Sequence, residues 1–186
     1  MTVCLACGRW GSGENGLCPP CRRSMVRAPF TLLPSGLVVH SGFLHQGAAR
    51  RLVHRLKYGG LMQVGALMGE VLAPLVPSSA TAVVPVPRAR LRRATHGIDP
   101  AEVLASAVAA RCGLPLVTAL RAGLWWPRHA GRGRAGRTAA RYRVMRRLPP
   151  GAVLIDDVLT TGATLQSAAA ALGVAPRAAL TATVAR

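Results

Sequence analysis

Two aspartates, Asp156 and Asp157, stand side by side in a chain of 186 residues that has only six acidic side chains in all. They close the apolar run Val153-Leu154-Ile155, and after Val158 and Leu159 comes the small-residue segment Thr160-Thr161-Gly162-Ala163-Thr164. Adjacent carboxylates at the end of a buried strand repel each other and lose hydration, so they need a compensating partner such as a polyhydroxyl ligand or Mg2+. In the segment that follows, backbone N–H groups and threonine hydroxyls converge as a phosphate requires, with the start of a helix behind them. Gly162 allows the backbone to approach such a ligand closely. The plainer alternative is an ordinary strand-turn-helix capped by threonine.

A second group of chemically capable residues opens the chain. Cys4 and Cys7 form one C-x-x-C pair, Cys18 and Cys21 another, with ten residues between the pairs. Two such knuckles in an intracellular chain read as a tetrahedral Cys4 site for structural Zn2+, and the glycines between them supply the tight turns. The metal would replace the core that so short a segment lacks. A redox C-x-x-C, or two chance pairs, is the competing reading. Cys112 falls in an apolar helical pattern and reads as a core thiol.

The elements that must position these groups alternate. Leu37 to Phe43, Thr81 to Val84, Ala152 to Val158 and Ala178 to Val184 read as strands. Gln46 to Lys57, Leu61 to Val76, Pro100 to Cys112 and Leu165 to Leu172 read as helices. Asp99 and Pro100 suit the cap and first position of the third helix, and glycines 59, 60 and 113 stop the first and third. A short strand is expected at Leu116 to Leu120 and another near Tyr142 to Val144. Strand-helix alternation predicts an α/β fold with an open parallel sheet covered on both faces. The expected division is a zinc-ribbon or knuckle module at 1–36 and the α/β domain at 37–186.

Bulk properties set the outer limits. The formal net charge is +18, and Lys57 is the single lysine among 24 basic residues. Such a surface attracts polyanions, although an Ala-, Gly-, Pro- and Arg-rich composition also follows from coding bias. The stretch Arg121 to Arg147 holds nine arginines and reads as a mobile basic loop. There is no apolar run of about 18 residues to span a membrane and no signal-peptide pattern, so the expected location is cytoplasmic.

The segment from Val153 to Thr164 resembles the phosphoribosyl pyrophosphate (PRPP) signature of type I phosphoribosyltransferases. The wider pattern is similar to the competence-protein F (ComF) family: the paired C-x-x-C motifs, then Leu56-Lys57-Tyr58-Gly59, then Val84-Pro85-Val86-Pro87, then the PRPP signature. The resemblance runs over nearly the whole chain. It implies that Asp156 and Asp157 contact the ribose hydroxyls and that Thr160, Thr161, Gly162, Ala163 and Thr164 hold the 5-phosphate. It implies further that Arg88, with Mg2+ and an arginine such as Arg137, meets the pyrophosphate. Arg88 also reads as a solvated member of a basic run. The family's Arg-Gly-x-Asn-Gln stands here as His96-Gly97-Ile98-Asp99-Pro100, which keeps only the glycine, so the transfer reaction is left open.

Three functions compete. The chain is a phosphoribosyltransferase, releasing pyrophosphate from PRPP, linked by the resemblance to DNA uptake. Alternatively it is a non-catalytic protein that binds single-stranded nucleic acid through Arg132, Arg134, Arg137 and Arg141, with stacking from Trp125 and Trp126. Those tryptophans read more readily as packing or interface residues. A third role is structural, in DNA-uptake machinery at the inner face of the membrane, with the zinc module as the docking element.

Overall fold

The structure is a computed structural model describing residues 3–11, 13, 16–88, 98–123, 142–173 and 176–185. In chain order the elements begin with α1 (Pro19–Arg23), β1 (Thr31–Leu32), β2 (Val38–Leu44), α2 (Gly47–Gly59) and α3 (Gln63–Leu72). They continue with β3 (Ala82–Pro85), α4 (Pro100–Cys112), β4 (Leu120–Ala122), β5 (Tyr142–Val144), β6 (Ala152–Leu159), α5 (Ala163–Leu172) and β7 (Ala178–Val184). The main sheet has the order β1-β2-β7-β6-β3, and only the β1–β2 pairing in it is antiparallel. β4 and β5 form a separate antiparallel pair.

The parallel core follows from the strand sequences. Every residue of β7 is buried, as are the first four of β6, which is what a strand covered on both faces requires. Side chains alternate between two apolar clusters. Val83, Val153 and Ile155 pack with α2, α3 and α4, whereas Ala82, Val84 and Leu154 pack with α5 and Leu120. Each fully buried Val, Leu or Ile contributes roughly 1.5–3 kcal/mol. The expected α/β architecture is therefore the observed one, and no helix among the described residues is long and apolar enough to cross a membrane.

The helices end where their glycines lie. Gly60 and Gly113 cap α2 and α4 with φ of 63°, a left-handed conformation that costs glycine little. Asp99 caps α4 by accepting a hydrogen bond from the Ala101 N–H at 3.2 Å. α3 and α4 approach closely because Gly65 and Gly69 face Val103 and Ala107; a Cβ at Gly69 would stand 2.7 Å from that of Ala107.

Several boundaries differ from expectation. The second helix ends at Leu72 and tightens into a 3-10 turn, Ala73–Leu75, because Pro74 has no N–H and clashes with a carbonyl one turn back. The strand expected at Leu116 to Leu120 is reduced to a bridge between Leu116 and Val83, and β4 begins only at Leu120. The last helix starts two residues early, at Ala163. α1 and β1 are too short for any periodicity to announce them.

The cysteine segment is joined to the rest of the fold by packing. Cys4, Ala6, Leu17 and Cys21 belong to the same buried cluster as Leu52, Leu56 and Met68. Ser24, just past α1, accepts a hydrogen bond from the Ala48 N–H at 3.1 Å and donates to the Cys21 carbonyl at 2.8 Å. One of the free N–H groups at the start of α2 is thus capped from the cysteine segment.

Candidate functional site

Alternation along β6 sends its two aspartates to opposite faces of the sheet. Asp157 points to the face covered by α2 and is 6% exposed. Its Oδ1 lies 2.8 Å from the Lys57 ammonium and its Oδ2 2.7 Å from Arg88 Nη2. One carboxylate therefore joins the last turn of α2 to the segment that leaves β3. Arg88 is not a solvated arginine here: its side chain is 17% exposed, and its own N–H donates to Asp99 Oδ2 at 3.1 Å. Asp99 thus caps α4 with one oxygen and holds the backbone at Arg88 with the other.

Asp156 has a different environment. Its Oδ1 accepts a hydrogen bond from the Asp157 N–H at 2.7 Å. Although some of its surface is exposed, the carboxyl group is enclosed by protein, and burial pushes its pKa up to about 8, helped by the neighbouring Asp157 charge. The Asp157 N–H and Lys57 pull the other way without prevailing. Tyr142 is raised mainly by burial, with the charges of Asp156 and Asp99 adding to the effect, which places it beside the same cluster.

The segment after β6 makes a tight turn. Gly162 has φ of 76°, and a Cβ there would press on the Leu33 side chain at 2.5 Å, so the position requires glycine twice over. Thr160, Thr161 and Ala163 are exposed, and Thr161 Oγ1 accepts a weak hydrogen bond from the Ala163 N–H at 3.4 Å. The first N–H groups of α5, including that of Thr164, open beside the exposed hydroxyls. An anion there would meet N–H donors, hydroxyls and the positive end of the helix together.

His45 lies just beyond the end of β2, its Nδ1 2.8 Å from Thr183 Oγ1. Burial first, then Lys57 and Arg50, lower its pKa, and Asp157 opposes them. Neither His45 nor the Asp99 contact with Arg88 stands out in the sequence. Lys57 does, as the only lysine in the chain.

The four N-terminal cysteines come together as their spacing predicts, with all four Sγ atoms within 4.8 Å of one another. Cys7 and Cys18 are 3.8 Å apart, and four sulfurs around Zn2+ at about 2.3 Å would be separated by about 3.8 Å. The donor set and its size fit a structural zinc ion. Burial opposes ionisation of Cys4, but N–H donors from Cys18, Cys7 and Ala6 outweigh it and bring its pKa to about 6. Cys21 is pushed by burial to about 12, with Arg51 Nη2 3.5 Å from its sulfur working against that rise. Cys112 is half-buried against the core, as a packing thiol should be.

Arg132, Arg134, Arg137 and Arg141 lie outside the described residues, as do Trp125, Trp126, His96 and Gly97. A separate cavity of about 530 Å³ opens between the cysteine segment and α2–α3, lined by Leu5, Arg55, Leu61 and Leu67. Of the candidate residues only Cys4 borders it.

No family model matches the chain, and no curated protein does. Among solved structures it is similar to an orotate phosphoribosyltransferase from Aeropyrum pernix, at 22% identity and a TM-score of 0.40, over 86% of this chain and 75% of that one. A likeness of that degree carries no functional argument by itself.

Proposed function

We propose that the chain binds PRPP at the carboxyl end of β6. In this reading Asp156 and Asp157 meet the ribose hydroxyls, the turn Thr160 to Thr164 holds the 5-phosphate, and Arg88 faces the pyrophosphate. The observation that carries it is the order of groups along one strand and its turn: two carboxyls, two exposed threonines, a glycine with positive φ and a helix start. Ligands of open parallel sheets bind at this end of the strands. Mg2+ bound with the substrate would neutralise charge on the pyrophosphate. Transfer would form a bond from a nitrogen nucleophile to ribose C1 and break the C1–O bond, the pyrophosphate leaving with the electron pair beside Arg88. The motif order also supports membership of the ComF family and a link to DNA uptake.

Calorimetric titration with PRPP and Mg2+ tests the reading, and its pH dependence is specific. If the ligand needs Asp156 as a carboxylate, binding must displace a proton from a group whose pKa is about 8. Affinity should then rise by up to about tenfold per pH unit below about pH 8 and level off above it. A flat profile from neutral pH upward would mean that Asp156 does not ionise against the ligand. Absence of binding at any pH would end the PRPP reading.

The second reading, binding of single-stranded DNA with the fold as scaffold, is favoured by the charge of +18 and by exposed Arg9, Arg23 and Arg27 on or beside the cysteine segment. Phosphate-backbone contacts make such binding fall steeply with added salt. An affinity for oligonucleotides that salt leaves unchanged would remove that mode.

A further inference from the structure

Lys57 is where composition and geometry converge on a role the motifs do not supply. The other 23 residues of the Lys and Arg total are all arginine, among them Arg111, which pairs with Glu70 on the surface. A solvated cation in this chain is thus written as arginine. The exception is 19% exposed and touches the buried Asp157. An ammonium differs from a guanidinium in being a compact point charge with rotatable donors on a flexible stem, able to move between acceptors that a planar fork cannot share.

The surroundings favour a second acceptor for it. Lys57 and Arg88 hold opposite oxygens of one carboxylate, while the buried Asp99 accepts from the backbone N–H groups of Arg88 and Ala101. Two cationic heads thus share one carboxylate at the carboxyl ends of β3 and β6. Lys57 also sits in the last turn of α2, three residues before the Gly60 cap, where the carbonyl end of the helix favours a cation. His45 stands within electrostatic reach of both Lys57 and Asp157.

We propose that Lys57 is a substrate-binding residue for the pyrophosphate end of a phosphoribosyl ligand. It grips Asp157 as seen here and turns to the phosphoryl oxygens when the ribose hydroxyls engage the carboxylates. This rests on the PRPP reading of the same site and adds a named cation, from a different element, to Arg88.

The test separates the two ends of the ligand. Wild-type, Lys57→Gln and Lys57→Arg proteins are titrated with inorganic pyrophosphate plus Mg2+ and, separately, with ribose 5-phosphate, and each is melted to check folding. Lys57→Gln should weaken pyrophosphate binding about 10- to 100-fold, the range of one charge-assisted contact, and leave ribose 5-phosphate within about twofold. Lys57→Arg, which keeps the charge and the pairing to Asp157, should restore melting but recover only part of the pyrophosphate affinity. Equal weakening of both ligands would show that Lys57 merely fixes Asp157, and no change in either would exclude any contact; both results overturn the proposal. A wild-type protein that binds ribose 5-phosphate but not pyrophosphate overturns this inference alone. One that binds neither overturns the PRPP reading with it.

Discussion

Asp156→Asn is expected to reduce PRPP affinity by more than about a hundredfold, because two hydroxyls would lose charge-assisted bonds to a carboxylate. Its fold should survive. The amide oxygen still accepts from the Asp157 N–H, and the substitution removes a carboxyl whose charged form burial and Asp157 disfavour. The melting temperature should therefore hold or rise slightly. Asp157→Asn is a poorer test of the same idea. It strands Lys57 and Arg88 around a neutral group, and breaking a buried pair from one side costs about 3–5 kcal/mol. A fall of roughly 6–20 °C in melting temperature would accompany it in a chain of this size. Loss of binding in the Asp157 variant, or in the double variant, would say little about contact with ribose. Wild-type affinity in Asp156→Asn would sink the assignment of that carboxyl to the ligand.

The second large effect concerns the metal. Protein purified without added zinc should carry about one Zn2+ per chain, read by elemental analysis. Stripping it with a strong chelator should lower the melting temperature by roughly 10 °C or more, since a structural zinc site contributes folding free energy directly. The effect should reach beyond the first thirty residues, because Cys4 and Cys21 share a core cluster with α2 and α3. Cys7→Ser is the cleanest variant: its sulfur is half-buried, and replacing it removes a ligand with little loss of packing. A protein that holds no metal and melts at the same temperature with four free thiols would exclude the structural-zinc reading.

The parts of this arrangement that were legible in the sequence are local ones. β6 and its turn announce themselves because the apolar run, the carboxyl pair, the threonines and Gly162 are contiguous, and each type is restricted by its own physics. The four cysteines are legible for the same reason. α2 and α4 show their buried faces and glycine stops, whereas α3 stops early at a proline whose effect reaches back one turn. What could not be read is pairing between distant segments. Lys57, Arg88, Asp99 and Asp157 meet only because β3 and β6 are neighbours in the sheet and α2, packed on β7 and β2, brings its last turn to the same place. The raised pKa of Asp156 likewise depends on enclosure that no local pattern encodes. Composition did hold one clue to the cluster, the solitary lysine.

α2 is anchored at three points along its length. Its first turn is fastened by Ser24, its middle by Arg51 against Cys21, and its last by Lys57 against Asp157. Sulfur chemistry and carboxylate chemistry are thus the two abutments of a single thirteen-residue beam. Each residue added to or removed from it would turn Lys57 by about 100° and shift it about 1.5 Å along the axis, moving its ammonium off the carboxylate even with both abutments intact. The length of this helix is consequently as constrained as the identity of any residue it joins. Insertions that the loops at either end would absorb should be refused between Gly47 and Gly59.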